Sequence, residues 1–138
     1  MHRRPLGRGR TLAIIGAGLA IVGCLLPWWR AGGSDGLPVL TGNAFASTGV
    51  LVFLAAAATL ALVTLPYASD RPVGIERPLS YVLIAAVAWI ALLFRVAQII
   101  AAGDLGLPDT APGLWLTAAA LIIHARGVFE IGHDRTRR

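Results

Sequence analysis

Four long apolar stretches, separated by short polar ones, are the dominant pattern along this chain. They cover residues 11–29, 43–65, 79–102 and 111–128. An α-helix rises ~1.5 Å per residue, so each stretch is about long enough to cross the ~30 Å hydrocarbon core of a bilayer. Because the stretches are linked by short connections, neighbouring helices should run in opposite directions. The pattern therefore predicts an all-α fold, a single-domain transmembrane antiparallel four-helix bundle.

Prolines mark the ends of the predicted helices. Pro66, Pro72 and Pro78 exclude a regular helix between the second and third stretches. Pro112 fits the first turn of the fourth helix, with Asp109 or Thr110 as the capping residue. Composition supports the membrane class, since 57% of the 138 residues are hydrophobic, against about 45–50% in soluble domains.

The arginines predict the orientation in the membrane. All 12 basic residues are Arg, a bias typical of a high-G+C bacterial genome. Most of them lie before residue 11, in the 66–78 loop and after residue 125. The other side has Arg30 together with Asp35, Asp104 and Asp109. The positive-inside rule then places both termini in the cytoplasm, with the protein in the bacterial inner membrane. Arginines beside apolar segments are expected to contact membrane lipids, including anionic headgroups, and not nucleic acid.

Small residues favour close helix packing. Gly16, Ala20 and Cys24 are four positions apart and share one face of the first helix, and the second helix contains four consecutive alanines from position 55. Cys24 also ends the tetrapeptide at 21–24, which fits the lipobox of a bacterial lipoprotein signal peptide. That alternative would make Cys24 a lipidation site and leave three spans. Apolar sequence continues beyond it to residue 29, which favours a spanning helix.

Arg95 is the main candidate for an intramembrane polar site. Helical spacing places it on the same side as Tyr81 and near Gln98. An ionisable residue at depth suggests an anion or headgroup contact, or an ion pair with one of the acids at positions 35, 104 and 109. The alternative is an arginine that extends toward the interface without a specific partner.

Aromatic residues near the outer interface form a second candidate group. Trp28, Trp29, Arg30 and Trp115 are expected to anchor the protein at the headgroups or to dock another membrane subunit. His124 is interpreted as an interfacial residue, because no second histidine in a span could complete a haem or metal site. We therefore expect no metal, no cofactor and no catalytic residue.

The end of the first helix, Leu26-Pro27-Trp28, resembles that of many uncharacterised small bacterial four-span membrane proteins. This resemblance covers a few residues and implies the four-span fold without a function.

Two functions remain open from the sequence. One is a non-catalytic accessory or scaffold subunit of a larger membrane complex, whose partners are other membrane subunits or a second copy of the chain. The other is a small oligomeric channel or carrier in which Arg95 and Gln98 favour anions. An enzyme is not expected, because every Asp and Glu lies in a loop or the tail.

Overall fold

The computed structural model describes residues 7–33, 37–68, 78–103 and 110–136. Its four helices are α1 (Arg8–Leu25), α2 (Val50–Ala68), α3 (Pro78–Ala101) and α4 (Pro112–Thr136). Two three-residue strands, β1 (Trp29–Ala31) and β2 (Leu40–Gly42), and a 3₁₀ turn at Ala44–Ala46 connect α1 to α2. The prediction of an all-α class is confirmed, and α4 begins at Pro112 as expected.

The helices contact one another in a ring. Helix α1 contacts α2 and α4, α2 contacts α3, and α3 contacts α4. The closest pair is α1 and α4, which run antiparallel: the N-terminal Gly9 of α1 lies against Gly127, and Gly23 near the C-terminus of α1 lies against Gly113. Gly16 lies midway between them, where a methyl group would come within 2.5 Å of the backbone nitrogen of His124. Glycines spaced by seven residues therefore let the two backbones touch.

Two clusters of buried residues fill the bundle. One contains Trp28, Val52, Leu92, Ile99 and Leu114 among others, and lies beside the β1–β2 hairpin. We call this end of the molecule the hairpin end. The other cluster, at the opposite end, contains Val63, Tyr81, Ala85 and Val128. The C-terminus of α3 and the N-terminus of α4 consequently lie at the hairpin end.

The predicted boundaries 11–29 and 43–65 differ from the observed helices, and Pro66, which was expected to lie in a loop, is part of α2, which ends at Ala68. Helix α1 ends at Leu25 instead of residue 29, because Pro27 has no N–H to continue the helical bonds. The chain then turns into β1, which pairs antiparallel with β2 in the register Trp29 to Gly42. Helix α2 begins at Val50, and the 3₁₀ turn before it starts where the Asn43 side chain accepts a 3.1 Å hydrogen bond from the Phe45 nitrogen.

Helix α4 continues beyond the predicted end at residue 128. It extends to Thr136 and carries an i, i+4 ion pair, with 3.2 Å between Arg126 Nε and Glu130 Oε1. Glu130 also lies 3.8 Å from the Nε of Arg8 at the start of α1. The acid thus joins the ends of α1 and α4 that lie away from the hairpin.

Apolar side chains cover much of the outer surface. Among the described residues, α1, α3 and the part of α4 from Pro112 to His133 are long and apolar enough to cross a membrane, and α2 contributes the shorter apolar stretch Val50–Leu65. Helix α3 has a higher mean hydropathy than α1 or α4 and is mostly exposed, with large side chains at Leu79, Val82, Leu83, Val87, Ile90, Leu93, Phe94 and Ile100. These features are consistent with a membrane protein.

Candidate functional site

Arg95 and Gln98 meet on α3, as their spacing predicts. The Nη1 group of Arg95 donates a 3.1 Å hydrogen bond to Oε1 of Gln98. Arg95 is half-buried, and its Nε is buried without a hydrogen-bond acceptor among the described residues. Gln98 is exposed and accepts from Arg95 through its carbonyl oxygen, and its amide nitrogen carries two further N–H donors. The pair therefore offers hydrogen-bond donors and one positive charge, a combination that suits an anion.

Tyr81 does not belong to this pair. It precedes Arg95 by 14 positions, which is about 21 Å along the helix. Its side chain is buried beside Val63 and Val128, at the end opposite the hairpin. The buried face of α3 continues from Tyr81 through Leu92 to Ile99, so the predicted seam is a core face with a polar edge at Arg95.

The acids considered as ion-pair partners of Arg95 are Asp35, Asp104 and Asp109. All three lie outside the described residues. The capping role proposed for Asp109 lies outside them for the same reason.

Trp28 is a core residue and not an interfacial one, so its assignment to the docking group was wrong. Its side chain is fully buried, and its Nε1 donates a 2.9 Å hydrogen bond to the carbonyl oxygen of Gly23. The backbone nitrogen of Trp28 also donates to the Gly42 carbonyl at 2.8 Å. Since the chain leaves α1 at Pro27 and is held by β2, the indole turns inward over the end of the bundle.

The other members of that group remain partly accessible. Trp29 is half-buried in β1 with its ring against Gly42, and Arg30 is exposed in the same strand. Trp115 is 45% exposed on α4. A shallow groove of about 280 Å³ lies between the end of α1 and the hairpin, lined by Leu25, Pro27, Thr41, Gly42, Asn43 and Ala46.

His124 is a buried residue, which corrects its interpretation as interfacial. It is 2% exposed, and its Nε2 lies 3.0 Å from the hydroxyl oxygen of Thr59 on α2. That hydroxyl also donates a 3.0 Å hydrogen bond to the Ala55 carbonyl, so its single proton is already used. We therefore assign the imidazole proton to Nε2, which donates to Thr59, and Nδ1 is left buried without a partner among the described residues.

A signal for the His124–Thr59 contact exists in the sequence. Both residues interrupt apolar stretches, and a polar side chain in such a stretch needs a hydrogen-bond partner inside the bundle. The described residues contain three buried polar side chains, Thr59, Thr117 and His124. Matching these by depth would have suggested the pair.

Cys24 lies in the last turn of α1, and its side chain is fully buried in the cluster at the hairpin end. The small-residue face predicted around it is confirmed, because Gly16, Ala20 and Cys24 are all buried. Within the part of the chain that the structure describes, no group of three or more His, Cys, Asp or Glu residues is placed to hold a metal ion.

Comparison with known proteins adds no assignment. No protein-family model matches the chain, and no curated protein or solved structure was found to be similar to it. Any functional proposal therefore depends on the residues described above.

Proposed function

We propose that this chain is a four-span protein of the bacterial cytoplasmic membrane, with both termini in the cytoplasm, and that it is a non-catalytic accessory or scaffold subunit of a larger membrane complex. The observation that carries this proposal is the exposed face of α3. This face has more exposed large apolar side chains than any other described helix, it is little used in the bundle, and it carries the Arg95–Gln98 pair at one end.

The exposed apolar surface supports the membrane location. Monomeric soluble proteins rarely expose apolar patches above a few hundred Å². Helix α3 has 24 residues, so it is about 36 Å long and exceeds the ~30 Å hydrocarbon core. The stretch Val50–Leu65 of α2 is shorter, but the turn at Ala44–Ala46 before it and the rest of α2 after it lengthen the segment enough for a fourth span.

The unequal packing of the helices supports a scaffold role. Helices α1 and α4 are locked together by glycines, whereas α3 packs through three alanines with Tyr81, Leu92 and Ile99 and leaves eight other large apolar side chains outside. A helix that is held by the bundle on one face and exposes leucine, isoleucine and phenylalanine on the other suits side-by-side contact with a neighbouring membrane helix. The rigid α1–α4 pair would then fix the position of this helix.

The orientation can be tested with single cysteines. In a Cys24→Ser background, Arg30→Cys and His133→Cys introduce thiols at exposed positions on the two ends of the bundle. A membrane-impermeant maleimide added to intact spheroplasts should label Arg30→Cys. It should label His133→Cys only after the membrane has been permeabilised. The reverse pattern would contradict the cytoplasmic termini.

The scaffold role can be tested by crosslinking in the native membrane. A photo-crosslinking amino acid at Val82 or Leu93 on α3 should give one stoichiometric adduct, identified by mass spectrometry after purification in nanodiscs. The matched control is the same probe at Ile122 on α4 or Ile15 on α1, which are also exposed. Equal background from all four positions, together with a protein that purifies alone, would contradict the subunit proposal.

A channel or carrier for anions is the second candidate, and the donors of Arg95 and Gln98 favour it. Trp28, Leu92 and Leu114 fill the bundle interior near this end, so an anion path would have to run between copies of the chain. This candidate predicts anion flux into liposomes that Arg95→Ala abolishes.

A further inference from the structure

The guanidinium of Arg95 has one edge in use and one edge unused. A guanidinium presents two pairs of N–H groups, and each pair can bind two oxygens of one anion. The carbonyl oxygen of Gln98 accepts the hydrogen bond from Nη1, whereas the described residues provide no acceptor for Nε on the other edge. A buried N–H without a partner is costly, so this edge favours a ligand that brings an acceptor.

The described residues supply no negative charge near Arg95. Glu130, the carboxylate whose contacts the structure describes, pairs with Arg8 and Arg126 at the opposite end of the bundle. The exposed amide of Gln98 adds further donors beside the guanidinium. The complementary ligand is therefore an oxyanion with several acceptor oxygens.

Depth in the membrane favours a lipid phosphate over a carboxylate on a neighbouring helix. Arg95 precedes the last residue of α3, Ala101, by six positions, or about 9 Å. A helix of about 36 Å that is centred on a ~30 Å core places Arg95 roughly 6 Å inside the hydrocarbon boundary. The long side chain of Arg95 can extend over this distance to the phosphate groups of the nearer leaflet.

An apolar stripe leads away from this pair along α3. Four exposed side chains follow the same side of the helix at spacings of three and four residues below Gln98, namely Phe94, Ile90, Val87 and Leu83. A ligand held at Gln98 by a charged group and extending along this stripe must be polar at one end and apolar over the rest of its length. A phospholipid has this form.

We propose that Arg95 and Gln98 bind the phosphate group of an anionic phospholipid in the leaflet at the hairpin end, with an acyl chain lying along Leu83, Val87, Ile90 and Phe94. The site rests on the membrane location of α3 given under the proposed function. The lipid would cover one side of the exposed α3 face and leave Val82, Leu93 and Ile100 on its other side for a neighbouring helix, whereas it would compete with the channel candidate for Arg95 and Gln98.

Native mass spectrometry of the detergent-purified chain, titrated with phosphatidylglycerol, tests this site. Arg95→Met should weaken binding of the first lipid about tenfold or more, because it removes the charge and both edges of the guanidinium. Gln98→Glu should also weaken it, since a carboxylate beside Arg95 would occupy the guanidinium. Arg30→Met is the matched control, as it removes an exposed arginine from the same end of the molecule.

The outcomes separate the site from the membrane assignment. Equal lipid affinity in Arg95→Met and Arg30→Met, with unchanged helicity by circular dichroism, would overturn the site. Displacement of the lipid by millimolar inorganic phosphate would identify a free anion as the ligand and would likewise overturn it. Release of the wild-type protein from membranes by alkaline carbonate would refute the membrane location itself. Retention of the wild-type protein, together with a tenfold loss of lipid affinity in Arg95→Met and Gln98→Glu, supports both the membrane location and the lipid site.

Discussion

The imidazole of His124 on α4 and the hydroxyl of Thr59 on α2 share a 3.0 Å hydrogen bond inside the bundle. In the ring of helix contacts, α2 and α4 are separated by α1 on one side and by α3 on the other. The bond therefore connects helices across the diagonal. It also fixes depth, because Thr59 lies near the middle of α2 and must be level with His124.

Loss of this acceptor should destabilise the fold. Thr59→Val keeps the side-chain shape and leaves the Nε2–H of His124 buried without a partner. We expect the free energy of unfolding to fall by about 0.6–3 kcal/mol, the range that covers interhelical hydrogen bonds in membranes and unsatisfied buried donors. The measurement is circular dichroism during titration of the detergent-solubilised protein with sodium dodecyl sulfate.

Thr64→Val is the matched control for that variant. Thr64 is exposed and its hydroxyl bonds to carbonyls of its own helix, at Leu60 and Ala61. A loss as large as that of Thr59→Val would show that threonine removal from α2, and not the bond to His124, is responsible.

A methyl group at Gly16 should separate α1 from α4. The new Cβ would lie 2.5–2.8 Å from the backbone of His124 and from the Ala120 carbonyl, and backbone atoms cannot rotate away. Overpacking of this kind costs about 1–3 kcal/mol, so Gly16→Ala should unfold at clearly lower dodecyl sulfate concentration.

Gly18→Ala in the same helix provides the control, since nothing lies within 4 Å of its added methyl group. Alanine is the better helix former by up to about 1 kcal/mol, so this variant should be neutral or slightly stabilised. Equal destabilisation of both variants would contradict the close α1–α4 packing.

Replacement of Trp28 should be more costly than replacement of Trp115. Trp28→Phe removes the hydrogen bond to the Gly23 carbonyl and leaves a gap over the end of the core, for an expected loss of about 1–3 kcal/mol. Trp115→Phe at a 45% exposed position should change stability by about 0.5 kcal/mol or less. Comparable losses of stability for the two variants in the dodecyl sulfate titration would contradict the core position of Trp28 and support an interfacial one.

Cys24 should be unreactive while the protein is folded, because its side chain is fully buried. We expect N-ethylmaleimide to add one equivalent after unfolding in dodecyl sulfate and none before, measured by intact mass. A lipid-modified Cys24 would fail to react in either state and would carry additional mass, which would support the lipobox alternative.

Local signals in the sequence correctly predicted the features that depend on local chemistry. Pro112 opens α4 because its missing N–H costs nothing there. The proximity of Arg95 and Gln98 was predicted because side chains three apart share a helix face.

The features that were missed depend on the packing of distant segments. Trp28 lies at the end of an apolar stretch, as interfacial tryptophans do. The direction of its side chain, however, is set by the hydrogen bond between its backbone nitrogen and the carbonyl of Gly42, which is 14 residues away. Strands of three residues are too short to give an alternating pattern, so β1 and β2 were missed as well. His124 was assigned to the interface from its position near the end of an apolar stretch, whereas Thr59 on another helix determines its role.

The glycine contact between α1 and α4 has a consequence for synthesis in the cell. The ribosome completes α1 before α2, α3 and α4, so the most extensive contact of α1 cannot form until nearly the whole bundle has been made. Until then Gly9, Gly16 and Gly23 leave an open groove along α1. A chain interrupted before α4 would keep this groove uncovered in the membrane, where quality-control proteases that recognise unassembled helices could remove it.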